Sequence, residues 1–163
     1  MSERASIDAE IEFANSILAH SQSLINLADA KAGIILAADG GILAILGAYP
    51  LDLSTQLIVA CSIVAVALVG LSALLGAMVI KPRRIDGTPT TKVYFGSILK
   101  STREEYVRSF PSSEAEILQD LLNNVYTLAL IQRRKYQYLH RSFYSLVAGL
   151  IPLVVLVIIL RGG

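Results

Sequence analysis

Residues 56–80, QLIVACSIVAVALVGLSALLGAMVI, run for twenty-five positions without a charged side chain. A helix crossing the hydrocarbon of a bilayer takes about 20 apolar residues. A chain of 163 residues leaves too little other material to wrap a helix that is apolar on every side. This segment therefore places the chain in a membrane. Composition agrees, with 54% hydrophobic and 17% charged residues and a mean hydropathy of +0.60, beyond the range of an ordinary soluble domain.

Two further runs are long enough to consider. Residues 32–49 are apolar but interrupted by Asp39 and four glycines, so alone they make a marginal span. Residues 142–160 end in LIPLVVLVIIL, where Pro152 is tolerated better than in a soluble helix. The connection 49–55, YPLDLST, has no lysine or arginine, whereas 81–141 has eleven against six acids. Lys and Arg mark the cytoplasmic side. The predicted organisation is a cytoplasmic amphipathic helix at 1–31 and a transmembrane hairpin at 32–80 (spans 32–49 and 56–80, joined by a tight turn at Pro50 and Asp52). A cytoplasmic region at 81–141 and a third transmembrane helix at 142–160 follow. The N-terminus is expected inside, with the 49–55 link and the Arg161-Gly-Gly tail outside. The first 31 residues hold five acids and two bases, the wrong balance for a secretory signal, so no cleaved targeting peptide is expected.

The polar segments carry helical patterning. Ile7, Ile11, Ala14, Leu18, Ser21, Ile25, Ala28 and Ala32 follow an alternating four-three spacing, a heptad-like stripe that leads straight into the first span. Leu118, Leu122, Val125, Ala129, Gln132, Tyr136, Leu139 and Phe143 repeat the spacing before the last span. Ser112 or Ser113 supplies an N-cap, with glutamates in the first turn. One helix from about Ser113 to Leu160 would be roughly 70 Å long at 1.5 Å per residue. Between the stripes, KPRRIDGTPTTK reads as a loop, Tyr94-Phe95-Gly96 as a short extended or turn element, and Ser97–Ser109 as a helix. The fold class expected is an all-α membrane protein, with about three transmembrane helices and long helices extending into a cytoplasmic bundle.

Catalysis has little support. His20 and His140 lie far apart, and Cys61 stands alone in a span, which excludes a disulfide framework and the usual Cys/His metal spacing. No Gly-rich phosphate loop, Gly-x-Ser-x-Gly elbow or His-Glu-x-x-His is present, so neither enzyme, cofactor nor metal is expected. A net charge of +1 points to no nucleic-acid polymer.

Several acidic or small residues and one base near the first span stand out. Asp29 and Lys31 are either surface charges, with Lys31 snorkelling to the headgroups, or part of a polar pocket facing the bundle interior. An ionised Asp39 near mid-span costs on the order of 2.5–3.5 kcal/mol on insertion scales, so it should face protein or water, in the bundle interior or at an interface between copies. Gly33, Ala37 and Gly41 would let a neighbouring helix approach closely. Arg133, Arg134 and Lys135 precede the last span, where attraction to anionic lipid is one sufficient explanation. Yet Arg83, Arg84 and Lys92 belong to the same polar region, with five of the seven tyrosines. Cations for a phosphate and aromatic faces for a base are the ingredients of a nucleotide pocket. The candidate ligand set is Lys31, Arg83, Arg84, Lys92, Tyr94, Phe95, Arg133, Arg134 and Tyr136; Asp29, Asp39, Gly33 and Gly41 are the candidate intramembrane or interface residues.

Three motifs resemble one known family. ADAKAGIILAADG (28–40) is similar to the opening signature of the Pycsar effector transmembrane proteins of bacteria, Ala-Asp-x-Lys-Ala followed by an apolar run with an Asn about ten residues after the Asp. Here those positions are Ala28, Asp29, Lys31 and Ala32, with Asp39 in place of the Asn. Tyr94-Phe95-Gly96, followed by Glu105-Tyr106, resembles the aromatic-Phe-Gly motif after the second span, and QRRKYQYLHRSF (132–143) resembles the basic, Tyr-rich helix before the last. Order and spacing agree from about residue 20 to 160. The resemblance implies an antiphage effector of the bacterial inner membrane, paired with a pyrimidine nucleotide cyclase. Such an effector senses cyclic CMP or cyclic UMP through the 81–141 region, impairs the membrane and causes abortive infection. Three spans are too few for a monomeric pore, so a homo-oligomer is expected. The rival readings are a scaffold or accessory subunit whose bundle binds a protein partner, and a small ion-channel component with Asp39 lining its path.

Overall fold

A computed structural model describes residues 2–48, 56–81, 98 and 102–162. Among the described residues every regular element is helical. The helices are α1 (Ser2–Ala48), α2 (Gln56–Ile80), α3 (Arg103–Arg108) and α4 (Glu114–Gly162). Three of them contain stretches long and apolar enough to cross a membrane, within Ser6–Ala48, Gln56–Ile80 and Glu114–Ile159. The chain is an all-α membrane protein.

Local chemistry sets the helix starts. The Glu116 N–H donates to Ser113 Oγ at 3.3 Å, while Glu116 Oε2 accepts from the Ser112 N–H at 2.8 Å. The first of these bonds makes Ser113 the cap, with the Glu116 carboxylate reaching one residue further back to Ser112, and α4 continues through Pro152 for 49 residues, about 73 Å. Thr102 caps α3 through a fully reciprocal capping box. Its Oγ1 accepts from the Glu105 N–H at 3.3 Å, and Glu105 Oε2 accepts from the Thr102 N–H at 2.9 Å. Thr102 is extended, with φ −70° and ψ 160°, so the helix expected over Ser97–Ser109 cannot run through it. The helix begins instead at Arg103. The expected loop after Lys81 and the Tyr94-Phe95-Gly96 element lie outside the described residues.

The chain divides into two compact units, Met1–Asn26 with Pro82–Arg133, and Leu27–Lys81 with Arg134–Gly163. In the first, Ala14 and Leu18 of α1 and Leu121 of α4 form the core, with Ile11, Leu118, Val125 and Leu128 against it. The α1 side is the stripe read from sequence. On α4 the expected face, Leu118-Leu122-Val125-Ala129, is turned by about one residue. Leu121 is 8% exposed and Leu122 46%. The reason is polarity: Asp120, Asn124 and Thr127 are buried beside Leu121, and a hydropathy pattern assigns such residues to solvent.

The second unit packs α1, α2 and α4 together. Ala28, Ala32, Val79 and Leu139 form its core cluster. Contacts descend α2 as they ascend the other two helices: Ala32 and Leu139 meet Val79, Leu36 and Ser142 meet Gly76, and Gly149 meets Val69 and Leu68. So α1 and α4 run parallel here, and α2 runs against both. The buried face of α2 is Ile58, Ser62, Ala65, Val69, Ser72, Gly76 and Val79, an unbroken four-three repeat rich in small residues. Small residues let backbones close up where lipid offers no hydrophobic drive between helices. A Cβ at Gly149 would lie 3.0 Å from Val69 Cγ2 and 3.3 Å from Leu68 Cβ; one at Gly76 would lie 3.3 Å from Leu36 Cγ and from Ser142 Oγ. Phe143, read from sequence as an inward position, is exposed, and Ser142 is fully buried. Large apolar side chains such as Ile34, Leu74 and Ile151 point outward, as a hydrocarbon surround allows.

Candidate functional site

Asp39 is fully buried in the second unit, with Ser72 of α2 and Ser142 of α4. Continuing the α1 stripe past Ala32 by the same spacing reaches Ile35 and then Asp39, so the helix turns the carboxylate inward by its own periodicity. Ser72 Oγ donates to Asp39 Oδ2 at 2.9 Å, and Ser142 Oγ donates to the Ser72 carbonyl at 2.9 Å. The two hydroxyl oxygens are 3.3 Å apart. Asp39 Oδ1 is buried without a hydrogen-bond partner among the described residues. One turn further along, Ser145 Oγ donates to the Leu68 carbonyl at 2.8 Å. A row of hydroxyls therefore ties α4 to α2, with one carboxylate at its inner end.

A second polar contact in this unit joins Asp29 to Lys135, whose Nζ donates to Asp29 Oδ1. The lysine side chain is 12% exposed and the aspartate 36%, so the pair is shielded on the lysine side. The sequence motif puts Lys31 beside Asp29, but residues two apart on a helix point to different sides, and Lys31 is exposed. Asp29 finds its cation on the parallel neighbour α4.

The first unit has a polar seam of its own. Ser21, Asp120, Asn124 and Thr127 are buried. Thr127 Oγ1 donates to the Asn123 carbonyl at 2.9 Å, and Asn124 Oδ1 has no hydrogen-bond partner among the described residues. On α3, the N–H and hydroxyl of Thr102 together hold the exposed Glu105 carboxyl below its ordinary range, the backbone bond contributing most.

The other candidates are distributed as follows. Arg133 in the first unit and Arg134 in the second are exposed. Tyr136 is half-buried, packs against the Ala28-Ala32-Val79-Leu139 cluster and meets the His140 ring edge-on at 6.5 Å between centroids. Arg83, Arg84, Lys92, Tyr94 and Phe95 lie outside the described residues. Gly33 and Gly41 are exposed, and a Cβ at either would meet nothing within 4 Å. Asp39, by contrast, lies among the helices of its own chain. Sequence reasoning missed Ser72, Ser142, Asn124 and the pairing role of Lys135. Carrying the α1 stripe one heptad further would have turned Asp39 inward; Ser72 and Ser142 sit in apolar runs where nothing in one sequence separates them from serines facing lipid.

No group of three His, Cys, Asp or Glu placed to hold a metal occurs among the described residues. A family model described as PycTM, Pycsar effector protein domain, matches residues 13–162. No curated protein and no solved structure matches the chain. The match takes in all three spans and the polar segments between them, and with this three-helix membrane architecture it shows that the chain belongs to the Pycsar effector family of antiphage defence.

Proposed function

We propose that the protein is an inner-membrane effector that binds a cyclic pyrimidine nucleotide, cyclic CMP or cyclic UMP, through its 81–141 region and then impairs the membrane, causing abortive infection. The observation that carries this reading is the family match across residues 13–162. The N-terminus and 81–141 face the cytoplasm, supported by eleven lysines and arginines in 81–141 and none in 49–55. The messenger comes from a partner pyrimidine nucleotide cyclase. Its single phosphate charge suits Lys31, Arg83, Arg84, Lys92, Arg133 or Arg134, and its base suits Tyr94, Phe95 or Tyr136. To switch the protein, the ligand must bind one arrangement more tightly than another. Moving an equilibrium from 1:99 to 99:1 takes about 5.5 kcal/mol of differential binding, which the sites of a homo-oligomer can share. The outward Gly33-Ala37-Gly41 face of α1 is a candidate contact between copies.

The test is thermal unfolding of the detergent-solubilised protein with cyclic CMP, cyclic UMP, cyclic AMP and cyclic GMP. Ligand at about a hundred times its dissociation constant stabilises by about 2.7 kcal/mol. A shift with one pyrimidine messenger supports the sensor reading and identifies the trigger. No shift with any, in protein that unfolds cooperatively, refutes it and favours the scaffold reading.

A further inference from the structure

The Asp39–Ser72–Ser142 cluster has more acceptors than donors. A serine hydroxyl offers one proton, and an ionised carboxylate offers none. The Ser72 proton goes to Asp39 Oδ2 and the Ser142 proton to the Ser72 carbonyl. What remains is Asp39 Oδ1, unpartnered among the described residues, and free lone pairs on both hydroxyl oxygens. Ser72 Oγ lies 2.9 Å from Asp39 Oδ2 and 3.3 Å from Ser142 Oγ, and Asp39, Ser72 and Ser142 are fully buried. The cluster carries one negative charge if the carboxylate is ionised, and it has no donor left to offset it.

Nor do the described residues of the packed helices supply a countercharge. On α2, the charge-free run Gln56–Ile80 contains Cys61 as its one titratable side chain, three turns from Ser72 and half-buried. On α4, Arg141 is exposed beside Ser142 and Tyr144 is exposed, and no charged residue follows until Arg161. On α1, Lys31 is exposed two turns before Asp39, and Asp29 is already paired with Lys135. An isolated ionised carboxylate in a low-dielectric interior is too costly to leave alone. A neutral side chain of similar shape would have avoided the cost, so what the site lacks is a positive partner small enough to sit among packed helices.

We propose that Asp39, Ser72 and Ser142 form an intramembrane binding site for one small monovalent cation, either a proton or a sodium ion. Both are bare positive charges that accept lone pairs and need no donor from the site. A sodium ion would be held by Asp39 Oδ1 and the free lone pairs of the two hydroxyls; a proton would sit on the carboxyl. Larger or divalent ions fit less well, because the oxygens are close together and the protein provides one negative charge. Gly76 packs beside the cluster, where an added Cβ would lie 3.3 Å from Leu36 Cγ and from Ser142 Oγ, so the helices are close together at this level.

The experiment is thermal unfolding of the full-length protein in detergent, wild type beside Asp39→Asn. One arm titrates sodium chloride against potassium chloride at constant ionic strength and pH. The other varies pH in sodium-free buffer. A sodium-specific, saturable rise in unfolding temperature that Asp39→Asn lacks assigns sodium. A pH response in sodium-free buffer that Asp39→Asn lacks, without a sodium response, assigns the proton. Identical behaviour of the two proteins in both arms overturns the proposal. Should Asp39→Asn fail to purify, Ser72→Ala deletes the hydroxyl that touches both Asp39 and Ser142. It must shift the midpoint of whichever response the wild type shows, and an unshifted midpoint overturns the site equally.

Discussion

Replacing Leu121 with alanine should destabilise the protein clearly more than the same change one residue along, at Leu122. Leu121 is 8% exposed and lies among Ala14, Leu18, Ile11, Leu118, Val125 and Leu128. Leucine-to-alanine changes at buried sites cost about 2–5 kcal/mol, the upper values where the surroundings cannot collapse. Here the described wall comes from two helices, α1 and α4, which can close partly around a void, so about 2–3 kcal/mol is expected. Leu122 is 46% exposed. Half of its surface gains nothing from folding, and with full burial of a leucine worth about 1.5–3 kcal/mol the loss should be about 1 kcal/mol. The difference of about 1–2 kcal/mol corresponds to about 2–8 °C in unfolding temperature for a chain of this size. Thermal scans of the two variants measure it, and amide hydrogen exchange over 114–130 localises it. If Leu122→Ala costs as much as Leu121→Ala or more, the inward face of α4 is the apolar stripe 118-122-125-129, and the buried placement of Asp120, Asn124 and Thr127 is wrong.

Three further outcomes follow from particular contacts. Gly149→Ala should destabilise relative to Gly70→Ala: both gain about 1 kcal/mol of helix propensity, but a Cβ at Gly149 meets Val69 and Leu68 at 3.0–3.4 Å while one at Gly70 meets nothing within 4 Å, and overpacking costs about 1–3 kcal/mol; equal unfolding temperatures would show that α2 and α4 are not so close. Lys135→Asp should cost about 1–3 kcal/mol, between the values for exposed and buried pairs, and adding Asp29→Lys should recover part of it; a double variant no better than the sum of the singles would show that the pair does not form. Because the folded-state pKa of Glu105 is depressed, its capping contribution is present above the ordinary glutamate range and disappears as pH falls through the lower, folded-state value. Thr102→Pro keeps the φ of −70° but removes the donating N–H, so an NMR titration of the Glu105 carboxyl should return most of the way to the ordinary range, and Thr102→Ala only part of the way; an unmoved midpoint in both would remove the capping explanation.

The amino-acid sequence alone determined what each segment is. A charge-free run of twenty-five residues can only be a span, four-three spacing through Ile7 to Ala32 sets the inner face of α1, and Ser113 ahead of Glu116 marks the start of α4. These are local properties, carried by composition, period and the capping of free N–H groups. Which way an apolar helix faces was not legible. Along α2 every side is apolar, so no period distinguishes the Ser62-Ala65-Ser72-Gly76 face from the leucines and isoleucines turned outward. In hydrocarbon, large apolar groups are content outside, and small and polar ones gain from the interior, which inverts the rule that places a stripe in a soluble protein. For the same reason the α4 stripe was read one residue out of register, at Phe143 instead of Ser142. Partner choice was likewise tertiary. Asp29 stands next to Lys31 in the chain, but helix geometry turns that lysine away, and only the parallel packing of α1 with α4 brings Lys135 to it. Asp39 was legible as costly in the membrane; Ser72, which donates to it from thirty-three positions further along, and Ser142, which bonds Ser72 in turn, were brought there by the fold.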